Sequence, residues 1–537
     1  MKILSIESSC DDSALAYTDI KSAKLLWHTK ISQEENHKIY GGVVPELASR
    51  LFAKDLPILL QKFQDKFDFN DIACVSVTCE PGLSTSLLEG VMMAKALALS
   101  LRVPLLGINH LKGHIYSLFI NQKEEIFPIS VLLVSGGHTM ILECYGYDDM
   151  KIISQTLDDS FGECYDKVAK MLALGYPGGV LIDTLAREAM QEFFPHGNCL
   201  QKSSNIANKT IQSPNESYKI NQSFIQIYTH CSLPIPLVNQ NTLNFSFSGL
   251  KNAFRLKLHS NLEVMNIVES AISMQQKLKE LYAYCSDITQ QETIQTKQSL
   301  ENEICEKEAI LHDILTQIQS HPYVRALALS FQESATTHLV QKCKKYLQNT
   351  NHIKHFAIVG GASANSLLRE KLRNLCQKFD KTLLMSDIAF CADNAAMIGR
   401  ATLAKIHSNP DIIKQRDSVM QNITSKGYLQ IKDTDLLDQH IKNIKQIAQD
   451  KQNYIYSPQK SLLENVQNLC KQKQLDDTKA NGEVSKKSCI TPDESEKYKE
   501  KTYSEQEKDM KDRDSPFFDY LLQQLLELDI SPRNTEI

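Results

Sequence analysis

Over the first 195 residues, short apolar runs of strand length alternate with longer runs at helical spacing, and this alternation confines the chain to an α/β fold. Ile3–Ile6 and Ala14–Tyr17 read as two strands joined by the polar turn Ser8–Ser13, a hairpin at the start of the chain. Leu47–Phe63 has helical spacing, Ile72–Thr78 reads as a strand and Leu83–Leu101 as a long helix rich in Ala and Met. Val103–Ile108 predicts a further strand with a helix starting at His110, and Ile129–Val134 and Thr139–Glu143 predict strands around Ser135-Gly136-Gly137-His138. Hairpins embedded in a strand–helix alternation imply mixed sheets.

The character changes beyond that point. From His196 to about Ser232 the chain is Asn, Ser, Gln and Lys, too polar to offset its own ordering entropy, and reads as a loop insertion. Gln275–Ser320 has Glu, Gln, Lys, Leu and Ile at helical spacing and reads as a solvated helical hairpin or a coiled arm. Ordered sequence returns with Val324–Leu347 (helix), Phe356–Val359 (strand) and Ala364–Cys376 (helix). After about Gly427 comes a polar tail, with Lys471–Asp514 read as disordered and Ser515–Leu528 as an amphipathic helix capped by Ser515 and Pro516.

Lys and Arg total 59 against 64 Asp and Glu, a formal charge of −5, which excludes attachment to nucleic acid by bulk charge. Any RNA-binding face must be local or supplied by a partner. The 14 cysteines include no Cys-x-x-Cys pair and read as buried reduced thiols. No basic leader and no run of about 18 apolar residues is present, so the chain is expected to be cytoplasmic, without a membrane partner.

Three glycine elements stand beside strand or helix ends: Ser135-Gly136-Gly137-His138-Thr139, Tyr176-Pro177-Gly178-Gly179 and Gly360-Gly361-Ala362-Ser363-Ala364-Asn365. Singly each is compatible with an ordinary turn; together they suggest a cradle whose backbone amides meet a phosphate. The hairpin tip Glu7-Ser8-Ser9-Cys10-Asp11-Asp12 brings carboxylates to the end of an apolar strand. His110 and His114, at i and i+4, share one helix face, as two imidazoles on one metal must. Asp393, which interrupts the apolar stretch Phe390–Met397, is a candidate third ligand or the N-cap of the following helix. Asp158-Asp159, Glu163 and Asp166 look like acids suited to a first helical turn. Asn244–Lys251 mixes Phe245 and Phe247 with Lys251, a pattern that fits RNA stacking or a strand and turn.

These stretches, with Tyr40–Arg50, resemble the TsaD (Gcp) family of tRNA threonylcarbamoyladenosine transferases, in family order over residues 1–194, 234–275 and 317–428. The resemblance implies a duplicated actin-like ATPase fold with polar insertions and a C-terminal extension. Its lobes would be residues 1–110 and 111–428, with insertions at about 196–233 and 276–320 and a tail at 429–537. It makes His110, His114 and Asp393 ligands of one metal ion, iron ahead of zinc. Leu133, Val134, Ser135, Gly136, Gly137, Asp166, Gly179, Asp183 and Asn365 would hold an adenine nucleotide, as threonylcarbamoyl-AMP or ATP. The implied reaction moves the threonylcarbamoyl group to the exocyclic amine of adenosine 37, in tRNAs reading codons that begin with adenine, with Asp11 or Asp12 as proton acceptor. Implied partners are tRNA, a paralogous actin-fold subunit (TsaB-like), a small P-loop ATPase (TsaE-like) and the synthase that makes the adenylate. Two stretches depart from the family pattern: Leu51 and Phe52 follow Arg50, and Glu80 stands for the first glycine of Gly-Pro-Gly-Leu.

Other chemistries fit less well. A kinase of this fold would rely on magnesium held by phosphates and carboxylates, with no need of a histidine pair. A zinc peptidase of the His-Glu-x-x-His type needs a glutamate where Leu111 stands. A non-catalytic nucleotide-binding scaffold would be free to lose the three metal positions, which neither departure touches.

Overall fold

A computed structural model describes residues 1–38, 40–193, 222–287 and 294–412. Most of the polar insertion, the C-terminal tail and the helix read at 515–529 lie outside the described residues.

The first sheet contains β1 (Lys2–Glu7), β2 (Asp12–Asp19), β3 (Leu25–Ser32), β4 (Ile72–Glu80) and β5 (Leu105–Asn109), in the order β3-β2-β1-β4-β5. Its helices are α1 (Glu34–Lys38), α2 (Pro45–Gln64), α3 (Ser84–Leu101) and α4 (His110–Tyr116). The second sheet contains β6 (Ile129–Val134), β7 (Thr139–Cys144), β8 (Met150–Gln155), β9 (His355–Val359) and β10 (Thr382–Met385), in the order β10-β9-β6-β7-β8. Around it lie α5 (Phe161–Met171), α6 (Gly178–Phe193), α7 (Gln222–His230), α8 (Ser248–His259), α9 (Leu262–Asp287), α10 (Ile294–Ser320), α11 (Pro322–Asn349) and α12 (Ser366–Lys378), while α13 (Ala395–Ser408) returns to pack on the strands of the first sheet.

The two sheets have one topology. In each, the first three strands form an antiparallel meander and the last two join the first strand in parallel. This is the duplicated actin-like arrangement. Strand alternation sorts side chains into layers. Leu4, Ile6, Leu15 and Tyr17 pack with α2 and α3, whereas Ile3 packs with Leu403 and Ile406 of α13. Ala14 and Ala16, on the inner face, share a core with α4, α13 and one face of the second sheet, through Val131, Leu133, Ala357 and Val359. The opposite face, with Leu132, Val134, Phe356 and Ile358, packs on the helices of the second lobe. Both α4 and α13 are therefore clamped between the sheets, and side-chain size limits how closely they approach. A Cβ on Gly399 would lie 2.7 Å from Thr18 Oγ1, and one on Gly113 would lie 2.9 Å from Ile398 Cδ1.

The end of the polar insertion differs from the loop read in the sequence. Gln222–His230 is helix α7, anchored by the buried residues Phe224, Cys231 and Leu233 against the second-lobe core. Three well-spaced apolar side chains suffice to dock a short helix that composition alone reads as loop. Helices α9 and α10 form the expected hairpin, with Leu278, Leu300 and Ile304 in a small core of their own. Both family departures are accommodated. Phe52 is fully buried in the first-lobe core, and Glu80 Oε1 accepts from Asn109 Nδ2 at 3.4 Å. Among the described residues no helix is long and apolar enough to cross a membrane.

Candidate active site

Helix α4 begins where β5 ends, and Asn109 caps it by accepting from the Leu111 and Lys112 amides at 2.9 and 3.3 Å. The cap sets the first turn so that His110 and His114 lie one above the other, with ring centroids 4.6 Å apart. The alternative role for Asp393 falls away because Asn394 caps α13, accepting from Met397 N at 2.9 Å. Asp393 is left free to face the histidines, its Oδ1 3.5 Å from His110 Nε2 and 3.3 Å from His114 Nε2. Ligand atoms around a cation at about 2.1 Å are spaced by roughly 3.4 Å in a tetrahedral site. The His114 contact lacks hydrogen-bond alignment, so both nitrogens of this fully buried ring have no hydrogen-bond partner. An orphaned imidazole beside a carboxylate and a second imidazole is the donor set of a metal, and these residues fit one.

The electrostatics agree. Burial disfavours a charged His110, but the Asp393 and Glu7 carboxylates outweigh it and push its pKa up to about 9. Burial would likewise raise Asp393, yet His110 and His114 hold it well below the usual carboxylate range. The cluster thus concentrates negative charge that a cation can take up in place of a proton. His138, at the end of the first glycine loop, is pushed down to about 4 by burial and by the two neighbouring histidines, and stays neutral.

The glycine elements converge on one another. A Cβ on Gly360, whose φ is +95°, would meet Val134 O at 2.3 Å, and one on Gly162 would meet Ser135 O at 2.6 Å. Close approach of backbone to backbone holds the loops after β6 and β9 side by side. Nothing lies within 4 Å of the Cβ positions of Gly136, Gly137 and Gly179, so those faces are open. Leu133 and Val134 point into the core, and only their backbone can line a cradle. Asp166 Oδ1 accepts from Gly178 N at 2.8 Å, and its carboxyl is pushed up to about 6, mainly by burial. Asn365 caps α12 and donates to Asp183 Oδ1 at 2.9 Å. Tyr176 Oη donates to Asp11 Oδ2 at 3.0 Å and joins the cradle to the hairpin tip. Burial, then Asp12 and Asp393, raise the pKa of Asp11. Asp12 instead pairs with Lys30 at 2.8 Å on the neighbouring strand.

Two sequence readings change. Asp158 does not serve the first turn of α5, which Ser160 caps. It accepts from Ser246 Oγ, Phe247 N and Ser248 N at 2.5, 2.7 and 3.2 Å and fixes the entry to α8. Phe245 and Phe247 are fully buried and Lys251 pairs with Asp159 at 2.5 Å, so this segment is a structural latch with no aromatic face for RNA. Conversely, Thr78, which the sequence did not single out, gathers at the site with Glu7, His138 and Tyr176, which the sequence named only as members of the hairpin tip and the glycine elements. Glu7, an acid within an apolar strand, carried the clearest signal.

Comparison with known proteins agrees with this geometry. The family model described as "TsaD: tRNA N6-adenosine threonylcarbamoyltransferase" matches residues 24–226 and 196–400. Proteins named tRNA N6-adenosine threonylcarbamoyltransferase from Helicobacter acinonychis (strain Sheeba) and Wolinella succinogenes are each 43% identical, over 403 and 401 residues, covering 75% of this chain and 92% of each relative. One of the same name from Helicobacter hepaticus is 41% identical over 413 residues, covering 74% of this chain and 91% of its own length. The duplicated sheets, the cradle and these relatives together place the chain in the TsaD family, the tRNA N6-adenosine threonylcarbamoyltransferases.

Proposed function

We propose that this enzyme transfers the threonylcarbamoyl group of threonylcarbamoyl-AMP to N6 of adenosine 37 in tRNA, with His110, His114 and Asp393 holding one metal ion, iron ahead of zinc. The observation that carries the reading is the convergence of these three side chains beside the first glycine loop, where His138 neighbours both histidines and nothing lies within 4 Å of the Cβ positions of Gly136 and Gly137. When bound, the metal held by His110, His114 and Asp393 would supply a Lewis acid for the carbamoyl carbonyl or its neighbouring oxygens. Amides of Gly136 and Gly137 face the phosphate and stabilise the charge that grows on it as AMP leaves, while Ser135 N, donating to His138 O at 2.8 Å, and the Gly179 amide, bonded to Asp166, hold the loops in shape. Asp166, Asp183 and Asn365 orient the adenosine half of the donor. As the N6–carbon bond forms and the carbon–oxygen bond to phosphate breaks, the amine loses a proton. Asp11, raised by burial and steadied by Tyr176, is the acceptor we favour over the ion-paired Asp12.

The lobes we assign remain 1–110 and 111–428. Helices α2 and α3 present Ile58, Leu88 and Met92 at 41%, 48% and 56% exposure, a face suited to a paralogous actin-fold subunit. A TsaE-like P-loop ATPase and a threonylcarbamoyl-AMP synthase complete the cytoplasmic assembly we propose.

The test is transfer of labelled threonine to unmodified tRNA with this protein, those partners, ATP and bicarbonate, beside His110→Ala and Asp393→Asn, with bound metal measured in each. Label with wild type, and neither label nor metal in the variants, is expected. Full transfer by a variant that holds no metal would refute the metal role. No transfer by folded wild type with proven adenylate supply would refute the reaction.

A further inference from the structure

Glu7 ends β1 with its side chain sealed from solvent. A buried carboxylate needs donors on its oxygens. The Ser9 amide donates to Oε1 at 2.7 Å, and Thr78 Oγ1, from the adjacent strand β4, donates to Oε2. Oε2 also lies 3.3 Å from His110 Nδ1. The Ser9 hydroxyl, 3.2 Å from the same nitrogen, can turn to suit either partner, whereas Oε2 already accepts from Thr78 Oγ1 and faces Nδ1 as an acceptor. The proton of a neutral His110 imidazole therefore sits on Nδ1, and Nε2 keeps its lone pair on the side of Asp393. His114 has no such support, because its Nδ1 lacks any hydrogen-bond partner.

We propose that Glu7 is the positioning residue of the metal centre. Held by Ser9 and Thr78, it fixes the tautomer and ring orientation of His110 so that Nε2 stands ready as a ligand. The inference rests on the assignment of His110, His114 and Asp393 as ligands.

Its test uses the full-length protein with Glu7→Ala, Glu7→Gln and His110→Ala. Dissociation constants for Fe(II) and Zn(II) are measured by chelator competition, and imidazole ¹⁵N shifts of the Zn(II)-loaded protein report which His110 nitrogen keeps its proton. Loss of such a supporting partner weakens metal binding by about 10–100-fold, which is expected for Glu7→Ala. Glu7→Gln, whose carbonyl can still accept from Nδ1, should recover part of the loss. A merely structural role for Glu7 would leave the His110 nitrogen signals unchanged. Wild-type affinity with an unchanged His110 tautomer in both Glu7 variants overturns the proposal. If Glu7→Ala fails to fold, the near-isosteric Glu7→Gln decides by the same two readouts. Retention of metal by His110→Ala alone would instead overturn the ligand assignment.

Discussion

Replacing Gly360 by alanine is expected to separate the two glycine loops and destabilise the core in one step. The residue has φ +95°, and a Cβ there would lie 2.3 Å from Val134 O and 2.8 Å from Val134 C. A side chain in the left-handed half of backbone space costs roughly 1–2 kcal/mol. Pushing a methyl into packed structure costs about 1–3 kcal/mol more, and here both obstructing atoms are backbone of β6, with no rotamer to yield. The sum is about 2–5 kcal/mol, to be read by urea unfolding as a lowered midpoint at constant slope. Gly137→Ala is the control. Nothing lies within 4 Å of its Cβ position, so its stability should stay within about 0.5 kcal/mol of wild type. Both variants should bind an adenylate analogue less well, Gly360→Ala because the cradle shifts and Gly137→Ala because a methyl enters it. A Gly360→Ala protein as stable as wild type would refute the close-approach account of that loop.

Asp166, pushed up to about 6 by burial, binds its proton more tightly folded than unfolded, so it contributes stability that grows as pH falls through about 6 and levels off near 4. Asp166→Asn should remove this component from the difference between melting curves at pH 7 and pH 5, and wild-type affinity for the adenylate analogue should weaken over the same interval; identical pH profiles would contradict the role. Phe52→Ala, at a fully buried position that departs from the family pattern, should cost about 3–5 kcal/mol by urea unfolding, and a loss under 1 kcal/mol would show that Phe52 does not fill the first-lobe core.

Much of the fold was legible because the central strands and helices carry strong local periodicity. Strands β1, β2, β4, β5, β6, β7 and β9 fall where apolar runs predict them. Strands β3, β8 and β10 gave no comparable signal, since they lie at or near sheet edges and mix exposed with half-buried positions. No short-period repeat marks the duplication, which is carried by strand direction and order, quantities that hydrogen bonding between distant segments decides. Helix α7 was hidden in a polar stretch because docking on an existing core, and not its own composition, holds it in place.

By itself the sequence determined the local chemistry: two histidines one helical turn apart, glycines where backbone must be bare, and an acid set in an apolar stretch at Asp393. Only tertiary structure decided which groups meet. Packing of α13 between the two sheets carries Asp393 to the histidines, and the cap at Asn394 leaves its carboxylate free. The pairing of β1 with β4 brings Thr78 to Glu7 and sets both beneath His110. Spacing along the chain fixes what neighbours on one helix can share; a metal centre assembled from three elements depends on how closely those elements pack, and that distance is set by side-chain volume across the whole core.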